Sequence, residues 1–440
     1  VVMSGEIAGL VMLTALIFGI FVGFPIAFTL IVLAVFFGFF WLGDVVFPLM
    51  YFQAIGLMKE EVLAAVPLFV FMGLLLQGAG LMERLFRSFQ LILGGVAGSL
   101  YIGVLLTATL FAAATGIIGA SVTVMGIMAG PTMRRSGYSA SMSAGVITAG
   151  GTLGILIPPS VMLVVLAPIL GISIVRLFAA CIMPGLFLAG LYVSYAMVRS
   201  FLKPELGPVL PFEERDVSIT YKAQEFFFGL VPLAVLIIAA LGSILFGLAT
   251  PTEASAMGAL GAILLTIAYR RLTFTVFVEA VRQTLTLSGL VLYLAVGALM
   301  FGAVFSSLGS ASVITELLLS VPTGQFGVLI ILMVVIFLLG WPMEWPAIIF
   351  IFIPIFMPLI IEMEYDLVWF GTLVAVNLQT AFLSPPVAVA AYYLKGVVPE
   401  WSLKDIYWGM LQFMGLQVIG LMVLLFFPPL ALWLPGVLFG

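Results

Sequence analysis

A chain of 440 residues with 64% hydrophobic and 8% charged residues cannot be a soluble globule, whose charged share is about 25%. It has no histidine and a single cysteine, Cys181, which removes the usual general base, the usual zinc ligands, any internal disulfide and CxxC redox chemistry. The net charge of −4, with no basic tract, speaks against nucleic acid as a partner and leaves the lipid bilayer.

Taken in order, residues 7–23 and 25–43 read as two helices joined by a Gly-Phe-Pro turn, 44–61 as a mixed loop and 62–77 as a further span. The first run follows Glu6 rather than a basic segment, so it is expected to stay as a span and not to be cleaved. Residues 81–93 set Glu83, Arg84 and Arg87 among apolar positions, the pattern of an interfacial helix. A hairpin is expected over about 96–133, with Thr115, Gly116, Gly119 and Ser121 at its tip and Arg134-Arg135 where it returns. The next helix, about 139–170, is interrupted at Gly150-Gly151-Thr152 and again at Pro158-Pro159-Ser160. Glycine weakens a helix and each proline removes an amide donor, so its middle should open. Residues 177–198 close the first half, and the polar stretch 203–225 links it to the next.

Residues 226–247 and 251–269 repeat the opening pair, and Thr250-Pro251-Thr252-Glu253 predicts a capping box that assigns Glu253 to a helix start. An interfacial segment is expected at 273–284, a span at 288–308 and a second arm at 310–320. A second hairpin follows over about 326–361, with its tip at 341–346 around Glu344. The second interrupted helix, about 367–395, carries Asn377, Gln379, Thr380, Ser384, Pro385 and Pro386, and 407–427 is the last span.

The halves correspond. At an offset of 227, Pro131 falls on Pro358, Tyr138 on Tyr365, Pro158 on Pro385 and Pro159 on Pro386, while Pro25 falls on Pro251 at 226. Such duplication is a common construction of secondary transporters. The expected organisation is a first repeat at 1–202, a cytoplasmic linker at 203–225 and a second repeat at 226–440. Each half has five crossings and a hairpin that does not cross, so the halves should be inverted and both termini outside. With the linker in the cytoplasm, 13 of the 15 Lys and Arg residues fall on that side, Lys59 and Arg176 being the others, as the positive-inside rule requires. The fold class is an all-α polytopic membrane protein with two inverted repeats.

Backbone opened at membrane depth is tolerated where it lines a cavity, and both tips and both breaks are expected to meet near the midplane. Opened carbonyls and helix C-termini suit cations, whereas half-helix N-termini after Pro158-Pro159-Ser160 and Ser384-Pro385-Pro386 suit an anionic substrate. The first tip and break contain no acid, so a cation there would rest on carbonyl and hydroxyl oxygens. Glu344 is the one acid well inside an apolar hairpin, where a charge costs about 2.5–3.5 kcal/mol on insertion scales. No Lys or Arg lies in either tip or break. Its partner is therefore a bound cation, most simply sodium, or else the side chain carries a proton.

The motifs G-T-L-G-I-L-I-P-P-S, A-T-P-T-E-A and N-x-Q-T-x-F-L-S-P-P, in this order, resemble those of the large membrane subunit of tripartite ATP-independent periplasmic (TRAP) transporters, and the resemblance covers essentially the whole chain. It implies an elevator-type protein of the ion-transporter superfamily in the bacterial inner membrane. Such a protein imports organic acids with sodium as the coupling ion and no other cofactor. It further implies a periplasmic substrate-binding protein and a separate small four-helix membrane subunit as partners. The chain departs from the family pattern at Thr115-Gly116, where a Ser-Gly-small cluster is expected, and at Glu344, where aspartate is commoner. The rival reading is a standalone sodium- or proton-coupled carboxylate symporter of the same superfamily. An intramembrane enzyme is disfavoured, since no nucleophile has a base in reach.

Overall fold

The computed structural model describes residues 4–116, 118–385 and 388–440, with nothing assigned to the side chains of residues 112–115, 214 and 215. Its regular structure is helical among the described residues, and nine helices there are long and apolar enough to cross a membrane. The first half contains α1 (Gly5–Val22), α2 (Ile26–Leu42), α3 (Val46–Met58), α4 (Ala65–Gly78), α5 (Leu81–Leu93), α6 (Ser99–Thr115), α7 (Ile118–Arg135), α8 (Ala140–Thr152), α9 (Val161–Ile169) and α10 (Ile174–Leu202). A short α11 (Phe212–Arg215) interrupts the connecting stretch. The second half contains α12 (Ile219–Leu245), α13 (Pro251–Ala268), α14 (Phe274–Ser307), α15 (Ser310–Leu319), α16 (Gly324–Leu339), α17 (Trp345–Glu362), α18 (Leu367–Ala381), α19 (Val389–Val397), α20 (Leu403–Phe426) and α21 (Pro429–Phe439). Large side chains such as Phe21 (72% exposed) and Phe246 (73%) stand outside the packed interior, which only a lipid surround makes tolerable.

Helix boundaries recur between the halves. At an offset of 227, α7 falls on residues 345–362, the bounds of α17, and α8 begins where α18 begins. Local chemistry accounts for several of these edges. Thr250 and Glu253 form the reciprocal capping box at α13, and Asp366 accepts from two amides at the start of α18. Glycine at φ +60° lets the chain turn at Gly116, where a side chain would be strained.

Three expected boundaries differ from the structure. The stretch 44–61 is helical over Val46–Met58, because Asp44 and the Lys59-Glu60-Glu61 cluster flank thirteen residues with no charge of their own. The separate segments expected at 273–284 and 288–308 form the continuous 34-residue helix α14. Thr284 and Thr286, at the expected junction, donate back to the Ala280 and Arg282 carbonyls, so their hydroxyls are satisfied within the helix. Helix α12 starts at Ile219, inside the expected linker, capped by Ser218.

Packing divides the helices into two groups. Helix α4 packs chiefly on α13, α14 on α2 and α4, and α12 on α5. Against these stand α6–α9 and α16–α19, joined by α10 and α20. The close crossing is α8 on α20. A Cβ added to Gly409 would lie 1.9 Å from the Ser141 carbonyl oxygen, and one on Gly145 would lie 2.6 Å from that of Gly409. At one end, Ser139 and Gly98 amides donate to the Leu206 and Gly207 carbonyls, tying the starts of α6 and α8 to the connecting stretch. Arg84 pairs with Glu225 at 3.3 Å there, and Arg134 with Glu400 at 2.6 Å.

Candidate functional site

The first break begins where α8 ends at Thr152 and tightens into a 3-10 turn over Leu153–Ile155. Ser160 donates its hydroxyl to the Ile155 carbonyl at 2.5 Å, holding the segment before α9. In the second break, Thr380 donates to the Asn377 carbonyl at 2.5 Å, and Asn377 Nδ2 donates to the Met333 carbonyl at 2.7 Å. Its mate in the first half, Gly150, has no side chain to reach out, and instead a Cβ there would come within 2.9 Å of Ala108. The broken helices are thus fixed to their hairpins by small-residue packing in one half and by an amide in the other.

The breaks touch each other. Gln379 Nε2 donates to Thr152 Oγ1 at 3.0 Å, across 227 residues, so a residue and its repeat mate are directly bonded. Gln417 Nε2 on α20 donates to the same oxygen at 3.2 Å, and Thr152 itself donates to the Ala149 carbonyl at 2.8 Å. All three side chains are fully buried.

Each tip lies on its own break. A Cβ on Gly116 would meet the Val161 amide at 3.4 Å, and Trp341 Nε1 donates to Ser384 Oγ at 2.5 Å. The first tip also meets the second break, since Gly119 lies against the Tyr393 ring. A cavity of about 130 Å³ is bounded by both tips, both breaks and the facing walls of α4 and α14. Helices α7, α9, α17 and α19 begin at its wall, at Ile118, Val161, Trp345 and Val389. Helix N-termini present unpaired amides and the positive end of the dipole to this compartment, whose charged side chain among the described residues is Glu344, with no Lys or Arg. A second space, between Gly340–Trp345 and Ala381, Phe382 and Val389, lies between the second tip and its break. Glu344 lines both spaces and is exposed to them rather than sealed. Among the described residues it forms no ion pair.

Of the expected site residues, the structure brings Gly116, Gly119 and Glu344 to the main cavity. Thr152, Gln379, Asn377 and Thr380 are buried behind it, as are Gly150, Gly151 and Ser121. Ser160, Pro158 and Pro159 lie buried in the first break, and Ser384 in the second beside Pro385. Thr115 ends α6, and Pro386 lies outside the described residues. Sequence reasoning missed Gln417, Tyr393 and the α4 and α14 walls. An amide in the middle of the apolar run 407–427 is the signal that marks Gln417; Tyr393 and the walls carry none.

Paired interrupted helices and tips around a small compartment, within a set of bilayer-spanning helices, define a multi-pass membrane protein built as a transporter. The family model for the tripartite ATP-independent periplasmic transporter, DctM component, matches residues 11–430. The C4-dicarboxylate TRAP transporter large permease protein DctM of Pseudomonas aeruginosa is 30% identical over 385 residues, covering 86% of this chain and 87% of that protein. The sialic acid large permease SiaM of Vibrio cholerae is 28% identical over 392 residues, at 88% and 89% coverage. The 2,3-diketo-L-gulonate large permease YiaN of Escherichia coli is 27% identical over 426 residues, at 96% and 98%. The crystal structure of the Alcanivorax borkumensis YdaH transporter shares the fold, with a TM-score of 0.58 at 15% identity, covering 88% of each chain. The chain belongs to the DctM family of TRAP transporter large permeases. It is a membrane transport subunit and not an enzyme.

Proposed function

We propose that this subunit imports a small organic acid across the bacterial inner membrane, using a sodium gradient and an elevator motion. The acid arrives from a periplasmic binding protein, and a small four-helix subunit completes the membrane complex. The halves are taken as inverted repeats, 1–202 and 226–440, about the linker 203–225. The observation that carries the reading is the cavity where four helix N-termini converge without a basic side chain. It offers an anion neutral, preorganised amides from both halves, and these can release it again more readily than a fixed positive charge could.

Sodium is assigned to the tip-and-break junctions. In the first half the ligands are backbone and hydroxyl oxygens of Thr115, Gly116, Gly119, Ser121, Gly150, Gly151 and Thr152. In the second half they are Glu344, which lines the space between tip and break, with Asn377, Gln379 and Thr380, which are buried outside its lining. No other cofactor is required. Because Glu344 faces both spaces, an ion held there sits beside the acid and links its binding to sodium.

Glu344→Gln tests the assignment by keeping shape and removing charge. Uptake by the reconstituted complex should need severalfold more sodium for half-maximal rate. If instead the pH dependence vanishes and the sodium curve is unmoved, the group carries a proton. Wild-type curves for both would remove Glu344 from the site.

A further inference from the structure

The cavity that the proposed function assigns to the acid has a wall chemistry that narrows what the acid can be, and the inference rests on that assignment. One side consists of Val66 and Val70 on α4 with Leu287, Leu290 and Val291 on α14, and all five are aliphatic. Its other side presents the aromatic rings of Trp345, Phe382 and Tyr393. Among the described residues, the polar side-chain groups on the wall are the Glu344 carboxylate, the Trp345 indole N–H and the Tyr393 hydroxyl. No Ser, Thr, Asn, Gln, Lys or Arg side chain lines it among the described residues. At about 130 Å³ the space is well below the roughly 300–1,000 Å³ of pockets for drug-sized ligands, so the cargo is small.

These facts conflict with a polyhydroxylated or doubly charged cargo. A substrate hydroxyl turned toward the aliphatic wall gives up its water and receives no partner in exchange. A second carboxylate finds either that wall or Glu344, and like charges at close range repel. An apolar body, by contrast, buries its surface against five aliphatic side chains, and a flat ring gains stacking on the three aromatic ones. We infer that the carried acid is a monocarboxylate with an apolar body, an arylalkanoate or a branched-chain alkanoate. The carboxylate lies at the converging helix starts, and the body lies between the α4–α14 wall and the rings of Trp345, Phe382 and Tyr393.

The test uses the complete membrane complex, purified in nanodiscs with sodium. Its melting temperature is followed against 3-phenylpropionate, 4-methylpentanoate, succinate and gluconate. The first two should stabilise it at concentrations at least about tenfold below those at which succinate or gluconate act. Leu290→Asn, at a half-exposed position on the aliphatic wall, should weaken the response to 3-phenylpropionate by about tenfold while the complex without ligand still elutes as a single peak in gel filtration. Stabilisation by succinate or gluconate in preference to the apolar acids would overturn the substrate class while leaving organic-acid transport standing. Failure of all four acids would overturn both.

Discussion

Thr152 accepts two buried amide groups and donates to its own helix, so a single hydroxyl joins α8, α18 and α20. Thr152→Val keeps the shape and strands two Nε2 groups inside the protein. An unsatisfied buried donor costs about 1–3 kcal/mol, and the melting temperature of the purified complex should fall accordingly. An unchanged melting temperature would show that the amides find other partners. A second residue-scale expectation concerns Trp341, whose indole closes the second tip onto Ser384. Trp341→Phe keeps the ring and removes the donor, so it should raise the sodium requirement less than Glu344→Gln does. Sodium titrations of the two variants side by side decide the order. Little of this was legible in the sequence. Gly150, Thr152 and Gln379 stand out beside glycines and prolines that punctuate an apolar run. Tyr393 and Gln417 sit in ordinary helical positions, where only packing reveals which way they face.

The elements that sequence located best are those with chemical punctuation at their ends. Pro158, Pro159 and Pro385 marked where the helices break, and Thr250 to Glu253 marked where α13 starts. The continuous α14 and the helix at Val46–Met58 were misread because polar residues were taken as boundaries when their hydroxyls or flanks sufficed without one. Where helices cross without side chains between them, substitution should be severe. Gly409→Val would drive its side chain into the Ser141 carbonyl, which the added Cβ alone would approach to 1.9 Å. Loss of folded protein in fluorescence-detected gel filtration is the expected outcome; a well-folded variant would mean that α8 and α20 can separate. At the polar end, Glu400 ties the α19–α20 turn to α7 through Arg134. Its carboxyl is held below the usual range by a backbone hydrogen bond at Glu400 and by Arg134. A lowered pKa means the contact contributes above the ordinary glutamate pKa of about 4.3 and is lost as pH falls through the lower folded value. Glu400→Gln should therefore flatten the acid limb of the stability profile without altering it at pH 8 relative to pH 6.

For the molecule as a whole, the two packing groups meet along the cavity, and α10 and α20 join the group that holds the breaks. Helix α20 packs on α8 and α18, and α10 on α6 and α18. Cysteines at Val70 and Ile118, on opposite sides of the cavity, should when cross-linked stop transport, and the native Cys181 is too deeply buried to interfere. In the proposed function, a sodium gradient drives acid through this subunit only when its partners are present. The direct measurement is uptake into proteoliposomes holding this chain and its small subunit, with the binding protein added outside and sodium either graded inward or equal on both sides. Accumulation is expected only with the inward gradient and the binding protein together. Accumulation that persists with sodium equalised, or with this chain alone, would contradict it.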